Sequence, residues 1–162
     1  MTIALRPCPY RWSSMLSICS DLDETPDAHT YFETSRFLNT REQTSLGCGV
    51  GLEVGNTIYF EMPEAQFSYR NCGDADRARI HELIASGHID CLHSFGDNAA
   101  TRESAAAAWC ALKSAGAVPE VWIDHARAPS NLDPTMMEGG GAVPGHPAYH
   151  ADISLAAGLR YI

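Results

Sequence analysis

Strand-length apolar runs alternate with helix-length segments along this chain of 162 residues, and that alternation leaves few folds open. Residues 14–20, Thr57–Met62, His88–His93 and Pro119–Asp124 read as strands, with Leu159–Ile162 as a last one. Between them the apolar spacing predicts helices over 26–39, from Asp74 to a stop at Gly87, over 99–115 and over 150–157. Crossovers of helix length require parallel neighbours, wound right-handed, with helices covering the sheet. The expected class is therefore α/β, a largely parallel sheet of β/α units in a single domain over 1–162. A closed eight-unit barrel needs more chain than this. The sheet is expected either to be open or to be the front portion of a larger domain.

In such sheets the C-terminal ends of the strands face the ligand crevice, so the chemistry of those ends matters most. The first strand ends in Ser20-Asp21-Leu22-Asp23-Glu24, and Thr25-Pro26-Asp27 then signals a helix start, with Thr25 as N-cap and Pro26 as first helical residue. The third ends at His93, followed by Asp97, and the fourth at Asp124-His125. Each end has a plainer use: the aspartates can cap the following helices, and a lone histidine can be an ordinary hydrogen-bonded side chain. Three such ends on one edge of a parallel sheet point further. Imidazole nitrogen with carboxylate oxygen suits a zinc-like divalent ion. A carboxylate not bound to the metal can then act as base on a metal-bound water.

The rest of the sequence narrows the partners. Twenty acidic against 11 basic residues give a net charge of −9, which argues against nucleic acid and anionic membrane surfaces. No apolar run approaches a membrane span, and the start lacks the basic and apolar regions of a signal peptide. The six cysteines form no CxxC pair and are expected to be reduced and mostly in the core, which favours a cytoplasmic location. Gly47, Gly49, Gly51 and Gly55 fit neither a dinucleotide fingerprint nor a Walker loop, so 40–56 is expected to hold turns and short strands. Residues 126–148 read as a long loop of the functional or mobile kind.

Asp21-x-Asp23, the segment Ala85-Ser-Gly-His-Ile-Asp-Cys-Leu-His-Ser-Phe-Gly-Asp97 and Arg127-Ala128-Pro129 together resemble the polysaccharide deacetylase, or NodB-homology, family. The resemblance covers residues 14–130 and is most specific in the middle segment. It implies a partial or distorted (β/α) barrel. It further implies Asp21 as catalytic base, Asp23, His93 and Asp97 as ligands of a divalent metal, zinc first, and Arg127 as the residue orienting the base. Asp97 stands where the family has its second histidine; His125 is then the residue to make up the lost imidazole, and His125, His146 or His150 are the candidates to protonate the leaving group. The implied activity is metal-dependent removal of an N- or O-acyl group from a carbohydrate or glycoconjugate. The alternatives are a non-catalytic carbohydrate- or metal-binding module and a fragment of a larger enzyme. An open parallel edge after Ile162 carries the expectation of a homo-oligomer.

Overall fold

The structure is a computed structural model that describes residues 11, 14, 18–22, 24–63, 65–96, 100–126 and 128–162. Among them the order is β1 (Cys19–Ser20), α1 (Ala28–Asn39), β2 (Gln43–Thr44), β3 (Gly47–Cys48), β4 (Gly55–Ile58), α2 (Asp74–Ala85), β5 (Ile89–His93), α3 (Arg102–Ser114), β6 (Val121–Ile123) and α4 (Ala151–Ala157). Strands β1-β4-β5-β6 make one sheet in that order, and every pair in it is parallel. The described strands form an open mixed α/β arrangement, not a closed barrel. The glycine-rich segment forms the antiparallel β2–β3 ribbon, as expected for turns and short strands. The predicted last strand shrinks to a single bridge, Tyr161 beside Val121.

Helix boundaries follow local chemistry. The N-cap of α1 is Asp27, not Thr25: the Asp27 carboxylate accepts from Thr30 N–H at 2.7 Å. A carboxylate immediately ahead of the first free N–H groups makes a charge-assisted cap, so it prevails over a hydroxyl two residues earlier. The carbonyl of Thr25 instead accepts from Phe67 N–H at 2.7 Å. Helix α3 starts two to three residues later than the alanine run suggests, because Thr101 and Ser104 form a reciprocal capping box. Gly87, at φ +79°, stops α2 as the sequence indicated.

The core lies between the sheet and its helices. Tyr31, Phe32, Ile58, Ile80, Leu92, Phe95, Trp109, Leu112 and Trp122 are all buried in one cluster, and each large apolar side chain there contributes about 1.5–3 kcal/mol. Two polar contacts fix β4 to its neighbours. Tyr31 Oη donates to the Thr57 carbonyl at 2.6 Å, and burial pushes that phenol's pKa far up, so it stays a donor. Asn56, fully buried, donates from Nδ2 to the His88 carbonyl at 2.8 Å, locking β4 to the entry of β5. The cysteines depart from the core expectation: Cys91 is buried, but Cys48 and Cys110 are exposed, since α3 turns position 110 outward. Cys48, Cys72, Cys91 and Cys110 are free thiols.

The long loop is tied down. Asp124 accepts from Trp122 Nε1–H at 2.6 Å, Leu132 N–H at 2.7 Å and Asp133 N–H at 2.8 Å. Asn131 bridges backbone across the loop mouth, accepting from His125 N–H at 3.0 Å and donating to the His125 carbonyl at 3.1 Å. Beyond it, His150 is fully buried against Phe95 and Trp122. Its Nε2 lies 2.6 Å from the Ser130 carbonyl, which can only accept, so Nε2 carries the proton. Nδ1 then accepts from Ser154 Oγ at 2.7 Å, and Ser154 Oγ accepts from Trp109 Nε1–H at 2.6 Å. Gly141 leaves room for this: a Cβ there would stand 2.5 Å from the Ser130 carbonyl oxygen and 2.7 Å from His150 Nε2.

Desolvation holds the His150 imidazole below its ordinary value, partly opposed by its bond to Ser130. The unfolded chain, with an ordinary histidine of pKa about 6.5, takes up a proton first as pH falls. The stability contribution is therefore complete above about pH 6.5 and is lost as pH falls from there through the lower folded value. Thermal unfolding at about pH 7.5 and 5.5 is expected to show a drop that shrinks in His150→Gln; an equal drop in both proteins contradicts the assignment.

Candidate functional site

Because β1, β4, β5 and β6 run parallel, the residues at their C-terminal ends reach one rim. Asp21 follows β1, Tyr59 follows β4, His93 ends β5 and Asp124-His125 follow β6. His93 Nδ1 lies 3.1 Å from Asp21 Oδ1. The imidazole is nearly sealed, at 4% side-chain exposure, whereas the carboxylate is 58% exposed. The pair thus sets a solvent-facing carboxylate against a buried imidazole.

Thr57 positions the acid. Its Oγ1 donates to Asp21 Oδ1 at 3.2 Å and accepts from Leu22 N–H at 3.3 Å, so β4 holds both the side chain and the backbone that follow β1. Tyr59 positions the imidazoles. Its ring stacks on His93 at 4.5 Å and 16°, and meets His125 edge-on at 5.1 Å. The rings of His93 and His125 are 5.0 Å apart at 82°. Three aromatic rings therefore brace one another beside Asp21.

The turns that carry these groups are conformationally demanding. Glu24, Ser94 and Ala126, each just past a rim residue, have φ of +49°, +57° and +44°. Positive φ in a non-glycine residue costs about 1 kcal/mol or more and concentrates at functional sites. Gly96, at φ +103°, sits where a Cβ would overlap the Glu61 carbonyl oxygen at 1.4 Å. The close approach continues the β4–β5 pairing to the rim, where Glu61 N–H donates to the Phe95 carbonyl at 3.1 Å.

Asp21, His93 and His125 are thus brought together, as their placement at strand ends predicted. Asp23, Asp97 and Arg127 lie outside the described residues. Asp124 reaches the rim but its carboxylate is committed to Trp122, Leu132 and Asp133. It is a structural acid. Thr57 and Tyr59 were not singled out by sequence, although aligning the strands by their C-terminal ends puts Thr57-x-Tyr59 beside Cys91-x-His93, and Thr57 does pair with Cys91.

The donor chemistry fits a divalent ion in part. His93 offers an imidazole nitrogen at the rim, a donor type that a zinc-like ion takes, with the Asp21 carboxylate 3.1 Å from its Nδ1. Among the described residues, however, no three His, Cys, Asp or Glu side chains form a group able to hold a metal. A crevice of about 420 Å³ around Asp90, Pro119 and Glu120 lies at the opposite edge, where β5 and β6 begin. No described helix is long and apolar enough to cross a membrane. No family model matches the chain, nor does any curated protein or solved structure.

Two rim acids should respond differently to removal. Asp124→Ala strands three donors and is expected to lower stability by more than about 2 kcal/mol. Asp21→Ala is expected to change it by about 1 kcal/mol or less, because its carboxylate is largely in water. Urea denaturation of both variants checks this; a larger loss for Asp21→Ala contradicts the division of roles.

Proposed function

We propose that this chain is a metal-dependent hydrolase that removes an N- or O-acyl group from a carbohydrate, built on a partial, distorted (β/α) barrel of the deacetylase kind. The observation that carries the reading is the 3.1 Å contact between Asp21 and His93 at the C-terminal rim of a parallel sheet. These are the two described residues to which the resemblance gives the roles of base and metal ligand. In this reading Asp23, His93 and Asp97 hold the ion. A bound divalent ion of the zinc class would polarise the acyl carbonyl and acidify a water at neutral pH.

The chain's own residues supply the rest. Asp21 is solvent-facing and is oriented by Thr57 Oγ1, so it can accept a proton from a water on the rim. His93 is held by the Tyr59 face. His125 is half-buried at the edge of the same aromatic group and is the rim imidazole able to deliver a proton to the departing amine or alcohol. Asp97 in place of the family's histidine favours one second reading, a deacetylase-like module that holds metal or carbohydrate without turnover.

Elemental analysis after incubation with zinc, cobalt or nickel, paired with a free-amine assay on an acetylated chitooligosaccharide, separates the two. The hydrolase reading expects a stoichiometric ion, lost in both Asp23→Ala and His93→Ala. It also expects amine release that falls about 10²–10⁴-fold in Asp21→Asn while the ion remains. Tight metal without amine release selects the module, and retention of the ion in both alanine variants removes the metal site altogether.

A further inference from the structure

Opposite the rim, where α2 ends and β5 and β6 begin, a crevice of about 420 Å³ opens between Ile84, Gly87, Asp90, Val118, Glu120 and Tyr161. We propose that it binds a small primary ammonium compound with an apolar body, the ammonium at Asp90 and Glu120 and the body against Tyr161, Ile84 and Val118. The proposal stands independently of the chemistry assigned to the rim.

The groups that would hold the ligand are open to it. Asp90 and Glu120 are exposed, Tyr161 is 61% exposed, and Ile84 and Val118 are half-buried. The volume lies within the range typical of small-molecule sites, about 300–1,000 Å³.

Charge selects the sign of the ligand. Two carboxylates line the crevice and no lysine, arginine or histidine does. Cys91 pairs with Val121 across β5 and β6, so Asp90 and Glu120, one residue earlier on each strand, stand side by side. Like charges so placed repel. Among the described residues no cationic side chain pairs with Asp90, whose Oδ1 accepts from the Cys91 thiol at 3.1 Å. Glu120 meets Arg160 at 3.5 Å, but both side chains are more than half exposed, and so open a pair is weak. Helix α2 adds to the field. Its last turn carries no basic residue, and Ile84 and Gly87 at that end border the crevice. A helix C-terminus is partially negative and favours a cation.

The walls select the rest of the ligand. Tyr161 is pinned through its backbone: its N–H donates to the Glu120 carbonyl at 3.1 Å, and its carbonyl accepts from Trp122 N–H at 2.9 Å. The exposed ring therefore stands ready beside the carboxylates, a surface suited both to an ammonium and to an apolar body. Carboxylates only accept hydrogen bonds. A primary ammonium offers three donors to them, and a quaternary one offers none.

Phenethylammonium chloride is a suitable probe, titrated into the full chain and followed by backbone amide NMR. Phenethyl alcohol, phenylacetate and benzyltrimethylammonium are the comparisons, lacking in turn the charge, its sign and the N–H donors. The proposal expects saturable shifts centred on Gly87, Asp90, Glu120 and Tyr161, with each comparison at least about tenfold weaker. The double variant Asp90→Asn, Glu120→Gln alters exposed side chains only and is expected to weaken the probe at least about tenfold while the ligand-free protein keeps its spectrum elsewhere. Asp74→Asn, which removes an exposed carboxylate at the other end of α2, is expected to leave the affinity unchanged and so separates a site from general attraction to an acidic chain. Absence of saturation up to about 20 mM probe, equal binding of any comparison, unchanged affinity in the double variant or an equal loss in Asp74→Asn overturns it.

Discussion

Parallel pairing of β1, β4, β5 and β6 is the constraint from which the rest of the molecule follows. A parallel sheet sends every strand's C-terminal end to the same edge, however far apart those ends lie in sequence. Antiparallel pairing of β5 with β4 would have carried His93 away from Asp21. The register contributes as well: Leu92 pairs with Ile58 and Trp122, so the next residues, His93 and Tyr59, come to the rim together. Buried side chains beneath, among them Trp122, Leu92 and Phe95, keep that register from slipping.

The polar groups along the chain separate into those committed to the fold and those left for chemistry. Asp124 and Asn131 close the long loop onto the end of β6. Ser154 and His150 have the spacing of a nucleophile and its base, yet both are fully buried and saturated by Trp109 and Ser130, so they act as internal scaffolding. Asp21 is the opposite case. It is exposed, oriented by Thr57, and placed against a buried imidazole. Burial and hydrogen-bond saturation, rather than residue type, distinguish the two groups.

Much of the architecture was legible in the chain. The alternation of apolar runs and helix-length segments gave the parallel sheet, and strand-end composition led to Asp21, His93 and His125. What escaped depended on distance. Asp27 displaced Thr25 as the cap of α1 because a carboxylate adjacent to the free N–H groups forms the stronger bond. The commitment of Asp124 required knowing that Leu132 and Asp133 fold back onto it, which no local pattern encodes. Tyr59 and Thr57 acquire their roles from cross-strand register, and the aromatic stack on His93 exists only once β4 and β5 are aligned. Cys110 looked internal because the run around it is alanine-rich on more than one face, and only packing against α4 decides which face is covered.

The account rests on Asp21 and His93 meeting at one rim with Tyr59 and His125. Side-chain nitrogen NMR of the histidines reports that meeting without assuming any ligand or activity. The account predicts that Asp21→Asn moves the His93 Nδ1 resonance most, and that Tyr59→Leu moves His93 and His125 together while leaving His150 in place. A His93 resonance indifferent to Asp21→Asn in the folded protein would contradict it.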